Sequence, residues 1–245
     1  MSEEVEWYLW RKRMKPLSSK KIQHFPDWES QPINGETFSP FGPTVYLGKV
    51  HDEFIDELNT HITNLNASDD ATDVKGKLAG RVEKQLFLQD LISDKLEGHI
   101  RQHIVNFTNQ QNMGMEEQHI VSEAVWCNCA SARDFNPRHQ HTGNFSYVIY
   151  TKNTVDPTDV VNNPYDNAHG DDPSIAGNIE LHYGESMFMN QSRFMHTPVE
   201  GDILVFPAWL QHSVYPFYCD GERWSVAGNY RFATWEELNP PQETD

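Results

Sequence analysis

The sequence predicts a mainly β protein, with a jelly-roll-like core of short strands preceded by helices. Three observations lead there. Apolar residues recur at helical spacing as far as Phe107, and the period changes to two after Gly114. The strand-like runs that follow are short and separated by turn residues. With 245 residues, 38% hydrophobic and 12% aromatic, the chain can build one large domain with a real core, which excludes wholesale disorder. No internal repeat of about 20–50 residues is present.

Residues 1–45 mix charge with Pro16, Pro26, Pro32, Pro40 and Pro43 and read as an irregular lead-in. Six of the 19 lysines and arginines (Arg11, Lys12, Arg13, Lys15, Lys20 and Lys21) fall within the first 21 positions. They form either a solvated arm or a docking arm for an acidic partner. A strand begins at Thr44-Val45-Tyr46-Leu47. Phe54, Ile55, Leu58, Ile62 and Leu65 predict a helix over 51–65, and the polar stretch Asn66 to Lys77 a loop. Leu88, Leu91, Ile92, Leu96, Ile100, Ile104 and Phe107 predict a second helix over 84–108. His99 and His103 lie beside that stripe at i, i+4. They read as core-edge or solvated residues rather than as metal ligands.

Strands are predicted at 119–127, 145–150, 179–183, 202–206 and 224–232. Residues 153–178 carry Pro and Gly breakers with Asp156, Asp159, Asp166, Asp171 and Asp172, and read as a long acidic surface loop placed to act as a lid. Its acidic residues lack the register of a calcium loop. The organisation expected is a support region over 1–115, a β core over 116–235 and a tail over 236–245, all one integrated domain.

The formal net charge of -17 argues against nucleic acid as a general partner. Three cysteines, Cys127, Cys129 and Cys219, imply no disulfide framework. Met1-Ser2-Glu3-Glu4 opens without a signal-peptide run, and no stretch reaches the ~20 apolar residues of a membrane span. The expectation is a soluble, cytoplasmic protein.

The chemistry gathers in the second half. In a strand His139 and His141 share a face, so two imidazoles can meet one ion. Such a pair is common by chance and gains weight from its company. His212 follows a turn at Pro207-Ala208-Trp209, which can swing it back to complete a facial metal site. Its alternative is a surface loop histidine. Arg223 and Ser225 share a strand face, and a buried guanidinium calls for a carboxylate, which it grips bidentately. The competing role for Arg223 is a surface pair with Glu222 or Asp220. Tyr150 can add a phenolic donor.

Taken together, Trp126-Cys127-Asn128, Asn136 to His141, Ser146 to Tyr150, Gly201 to Pro207, His212, Arg223-Trp224-Ser225 and Asn229 resemble the prolyl-hydroxylase-like 2-oxoglutarate/Fe(II) oxygenases, phage-encoded members included. The resemblance covers roughly residues 120–232 and implies a cupin-like double-stranded β-helix using Fe(II), 2-oxoglutarate and O2. It implies hydroxylation of an unactivated C–H bond in a peptidyl proline or a small molecule, releasing succinate and CO2. It matches His139 and His212 to metal ligands and Arg223 to the grip on the distal carboxylate of 2-oxoglutarate. Ser225, Tyr150 and Asn128 are placed as helpers, with no catalytic side chain beyond the metal centre. The family usually has Asp or Glu where this chain has His141. We take His141 as the third ligand, with Asp134 as the alternative. Two other functions fit the same residues: a cupin-like three-His metalloprotein that does not use 2-oxoglutarate, and a non-catalytic jelly-roll binding module. Substrate identity and oligomeric state are left open by the residues.

Overall fold

A computed structural model of the chain describes residues 35–38, 42–68, 79–163, 175–189 and 191–239. The basic arm, most of the lead-in, residues 69–78 and residues 164–174 of the acidic loop lie outside the described residues. The described elements open with β1 (Gly35–Phe38), β2 (Val45–Lys49), α1 (Asp52–Asn66), β3 (Lys84–Phe87) and α2 (Asp94–Gln110). The strand-rich half follows: β4 (Ile120–Ala130), β5 (Asn136–His139), β6 (Phe145–Asn153), a short α3 (Pro157–Asn162), β7 (Ile179–His182), β8 (Arg193–His196), β9 (Asp202–Pro207), β10 (Gln211–Val214), β11 (Arg223–Phe232) and α4 (Trp235–Leu238).

Two antiparallel sheets result. Seven strands run in the order β1-β2-β9-β6-β11-β4-β3, and four in the order β5-β10-β7-β8. Strands distant in sequence are neighbours in both, as a jelly roll requires. The inward faces meet in a core of Val45, Val148, Tyr150, Leu204 and Phe206 against Ile179 and Leu181. Val148, Tyr150, Ile179 and Phe206 of this core also line the cavity of the candidate site. Helices α1 and α2 lie against the large sheet through Phe54, Ile55, Leu58 and Ile62 and through Leu96, Ile100, Ile104 and Phe107. Covered by helices on one side and the small sheet on the other, β6 is buried from Phe145 to Thr151. None of the described helices is long and apolar enough to cross a membrane. All three cysteines are buried and none forms a disulfide.

The helix expected over 84–108 divides. Residues Lys84–Phe87 form an edge strand paired with β4, a short 3-10 turn spans Gln89–Leu91, and the helix begins only at Asp94. Ser93 sets that start by accepting the Leu96 backbone N–H on its hydroxyl, at 3.2 Å. Leu88 is fully buried, but through the sheet, where its N–H meets the Val125 carbonyl at 2.9 Å. The apolar stripe therefore joined two different elements, because burial alone does not distinguish a strand residue from a helical one.

Candidate metal centre and its cavity

Three imidazoles converge beside the open end of the core. His139 on β5 and His212 on β10 are direct cross-strand partners, their ring centroids 4.2 Å apart. His141 is not on the strand, contrary to expectation. β5 ends at His139, and the following residues turn until the His141 backbone N–H meets the Ala208 carbonyl at 3.0 Å. That bond ties His141 to the β9–β10 turn, and its ring comes within 4.9 Å of His139 and 5.0 Å of His212. One ligand atom from each of the three lies within 4.8 Å of the other two, and among the described residues this is the one such gathering of three or more potential ligands. The expected swing at Pro207-Ala208-Trp209 is present, with His212 placed in a strand rather than a loop.

The donor set suits a cation. Nδ1 of His139 lies 2.7 Å from the Pro137 carbonyl and Nδ1 of His212 lies 3.0 Å from the Leu210 carbonyl. A carbonyl only accepts, so each Nδ1 carries the proton and each Nε2 keeps its lone pair for a metal. Burial holds all three imidazoles below their ordinary range, His141 at about 4 and His212 at about 3, so they are neutral ligands at pH 7. Asp134, the alternative third ligand, is turned elsewhere. Its Oδ2 accepts the backbone N–H groups of Ser131 at 3.0 Å and Glu83 at 3.2 Å.

The same cavity is lined by Arg223, Ser225, Tyr150 and Asn128. Arg223 is 4% exposed, and its Nη1 donates to the Gly177 carbonyl. Gly177 holds φ at +74°, a backbone state that glycine adopts without strain, and so turns that carbonyl toward the guanidinium. The surface pairing considered for Arg223 does not form, because Glu222 is held by Lys152 at 2.5 Å. Burial lowers the guanidinium pKa, and no carboxylate among the described residues forms an ion pair with it. A buried cation in a cavity is a receptor for an anion. Ser225 stands in register with Asn128 on one side and Tyr150 on the other, so the three line one face of β4, β11 and β6. Burial raises the Tyr150 pKa, which keeps its hydroxyl protonated as a donor.

One cavity residue escaped the sequence reading. Gln85 is fully buried on β3, opposite Asn128, to whose Oδ1 its Nε2 donates at 2.7 Å. No local pattern marks it, because Lys84-Gln85-Leu86-Phe87 does not alternate and becomes a strand only through its pairing with β4.

Comparison with known proteins follows this geometry. Residues 124–229 match the profile of a family described as "Putative 2OG-Fe(II) oxygenase". The match covers somewhat less than half of the chain, and it contains all three histidines, Arg223 and Ser225. No curated protein matches it by sequence. In fold, the chain is similar to a Pseudomonas putida prolyl-4-hydroxylase (15% identity, TM-score 0.51, 78% of this chain and 94% of that one). It is also similar to SnoN, a non-heme alpha ketoglutarate dependent epimerase from nogalamycin biosynthesis (11% identity, TM-score 0.51, 82% of this chain and 86% of that one).

Proposed function

We propose that His139, His141 and His212 hold Fe(II), and that Arg223 grips the distal carboxylate of 2-oxoglutarate. On this reading the oxygenase hydroxylates an unactivated C–H bond, in a peptidyl proline or a small molecule, with release of succinate and CO2. The observation that carries it is the shared cavity: three neutral imidazoles at one end and a buried guanidinium without an ion-pair partner among the described residues at the other. The catalytic core is residues 116–235, with the helices before it as support within one domain.

Bound iron supplies the activation of O2 and the oxidation of carbon, chemistry that no side chain in this cavity can perform. The side chains do the rest. Carbonyl bonds at two Nδ1 atoms hold the rings so that their Nε2 lone pairs meet at one point. Arg223 offers two parallel N–H donors to a carboxylate, and Ser225 and Tyr150 add hydroxyl donors from neighbouring strands, with Asn128 behind Ser225. Ile179, Phe206 and Val148 close the cavity with apolar surface, which excludes water and strengthens each of these contacts. Three neutral imidazoles leave the dication uncompensated, one unit more positive than two imidazoles and a carboxylate would. That favours the dianionic co-substrate and also makes zinc, nickel and copper stronger competitors for the site.

Calorimetric titration of 2-oxoglutarate into apo and metal-loaded protein tests the proposal. Binding that requires the metal is expected. Metal binding without any 2-oxoglutarate binding would point instead to a three-His cupin chemistry, and absence of both to a non-catalytic module.

A further inference from the structure

We infer that Gln85 is a positioning residue for the co-substrate's distal carboxylate, acting through Asn128 to set the direction in which the Ser225 hydroxyl donates. The inference rests on the reading of Arg223 and Ser225 as the site of that carboxylate. Gln85 has no solvent exposure and lines the same cavity as the three imidazoles. Its Nε2 donates to Asn128 Oδ1 at 2.7 Å, and Asn128 Nδ2 donates to Ser225 Oγ at 3.4 Å. Cross-strand register puts the three side chains in one line across β3, β4 and β11.

Each amide in such a line has a donor end and an acceptor end, so the line can run in two senses. In the sense observed, Ser225 accepts from Asn128 and its own proton is free for the cavity. In the reverse sense, Ser225 would donate to Asn128 Oδ1 and show the cavity only lone pairs. A carboxylate accepts and cannot donate, so only the observed sense complements it. Gln85 supports that sense with its Nε2 toward Asn128, and a glutamate there, which has no donor, would force the other. Without its donor, Asn128 Oδ1 would be an unmet buried acceptor, and the amide would gain by turning over to take the Ser225 proton. With Gln85 present, the unmet acceptor is Gln85 Oε1, which has no hydrogen-bond partner among the described residues. It sits on the edge strand, two strands away from Arg223. Nothing in this arrangement makes or breaks a bond of substrate, so Gln85 acts on affinity and not on the chemical step.

The test is calorimetric titration of 2-oxoglutarate into Ni(II)-loaded protein. Gln85→Glu puts an acceptor-only side chain at the end of the line and should weaken binding about 10- to 100-fold, with nickel content unchanged. Gln85→Met, neutral and similar in size, should weaken it less, about 3- to 10-fold. In a Ser225→Ala background the Gln85→Glu change should add less than about twofold, because no hydroxyl remains to be aimed, whereas simple charge repulsion would persist. Wild-type affinity in Gln85→Glu, or an undiminished effect in the Ser225→Ala background, overturns the inference and leaves the assignment of Arg223 standing. No metal-dependent binding by the wild-type protein overturns both. If Gln85→Glu does not fold, Gln85→Met carries the same cycle, and wild-type affinity there is equally decisive.

Discussion

Two groups of three histidines lie inside this molecule, and their contrast shows what separates a metal site from a polar core. His139, His141 and His212 bring one ligand atom each within 4.8 Å of the other two, with Nδ1 of His139 and His212 tied to backbone carbonyls. His51, His99 and His103, beneath the helices, are packed as closely: ring centroids lie 4.5 Å apart for His51 and His99, and 4.8 Å for His99 and His103. The nitrogens of His103, however, face a hydroxyl and a neighbouring ring. His103 Nδ1 lies 2.8 Å from the Tyr46 hydroxyl, and His103 Nε2 lies 3.3 Å from His99 Nε2. Burial lowers the pKa of members of this group too, to about 4 for His99 and about 3 for His103. Proximity, burial and depressed basicity are therefore common to both. The gathering of one ligand atom from each of three rings is not, and that is what the chemistry needs.

The comparison breaks first at the ligands themselves. His212→Ala should lower metal affinity more than about 100-fold, beyond the usual effect of losing a supporting hydrogen bond, and remove turnover with it. Metal analysis of untagged protein reads this directly; full metal content in His212→Ala would dissolve the distinction between the groups. Arg223→Ala should raise the 2-oxoglutarate requirement about 100-fold, as expected for a lost charge-assisted pair, while leaving metal content intact. Turnover like that of the wild type would count heavily against the assignment.

The second group should matter for stability instead. A histidine whose folded pKa lies below its unfolded value of about 6.5 binds fewer protons in the native state, so stability is retained above pH 6.5 and lost as pH falls toward 3–4. Chemical denaturation at stepped pH should show a loss of about 2 kcal/mol or more by pH 5. The slope should shrink in His103→Leu. At pH 7 the same substitution should cost about 1–3 kcal/mol, because the Tyr46 hydroxyl loses a buried partner, with no change in metal content. A fall in metal content would show that the second group also serves a metal. The smallest effect is expected at Glu222. It is paired with Lys152, so Glu222→Gln should move stability by less than about 1 kcal/mol and 2-oxoglutarate affinity by less than about twofold.

Legibility followed the length and regularity of each element. The helix Asp52–Asn66 and the strands β4, β6, β7, β9 and β11 were readable because each carries its own periodicity. The four-residue strands β5, β8 and β10 were not. Asn136-Pro137-Arg138-His139 and Gln211-His212-Ser213-Val214 hold almost no apolar residue, and only their pairing with neighbouring strands makes them strands. Those two strands carry His139 and His212, so the site could be named from its residue types while its scaffold stayed invisible. The error at β3 has the same origin. Gln85 reads as part of a helix until the edge of β4, which it completes, is in view.

By itself, the amino-acid sequence determined which residue types were available for this chemistry and in what order: a close pair of histidines, a distant third, then an arginine and a serine two positions apart. Local spacing decides that Arg223 and Ser225 share a face, because alternation is a property of one strand. Only the tertiary structure decided that His141 joins the cluster from a turn and that Asp134 does not. Only it aligned Gln85, Asn128, Ser225 and Tyr150 across four strands. Those facts depend on strand register and on backbone bonds between segments tens of residues apart, and no local pattern encodes either.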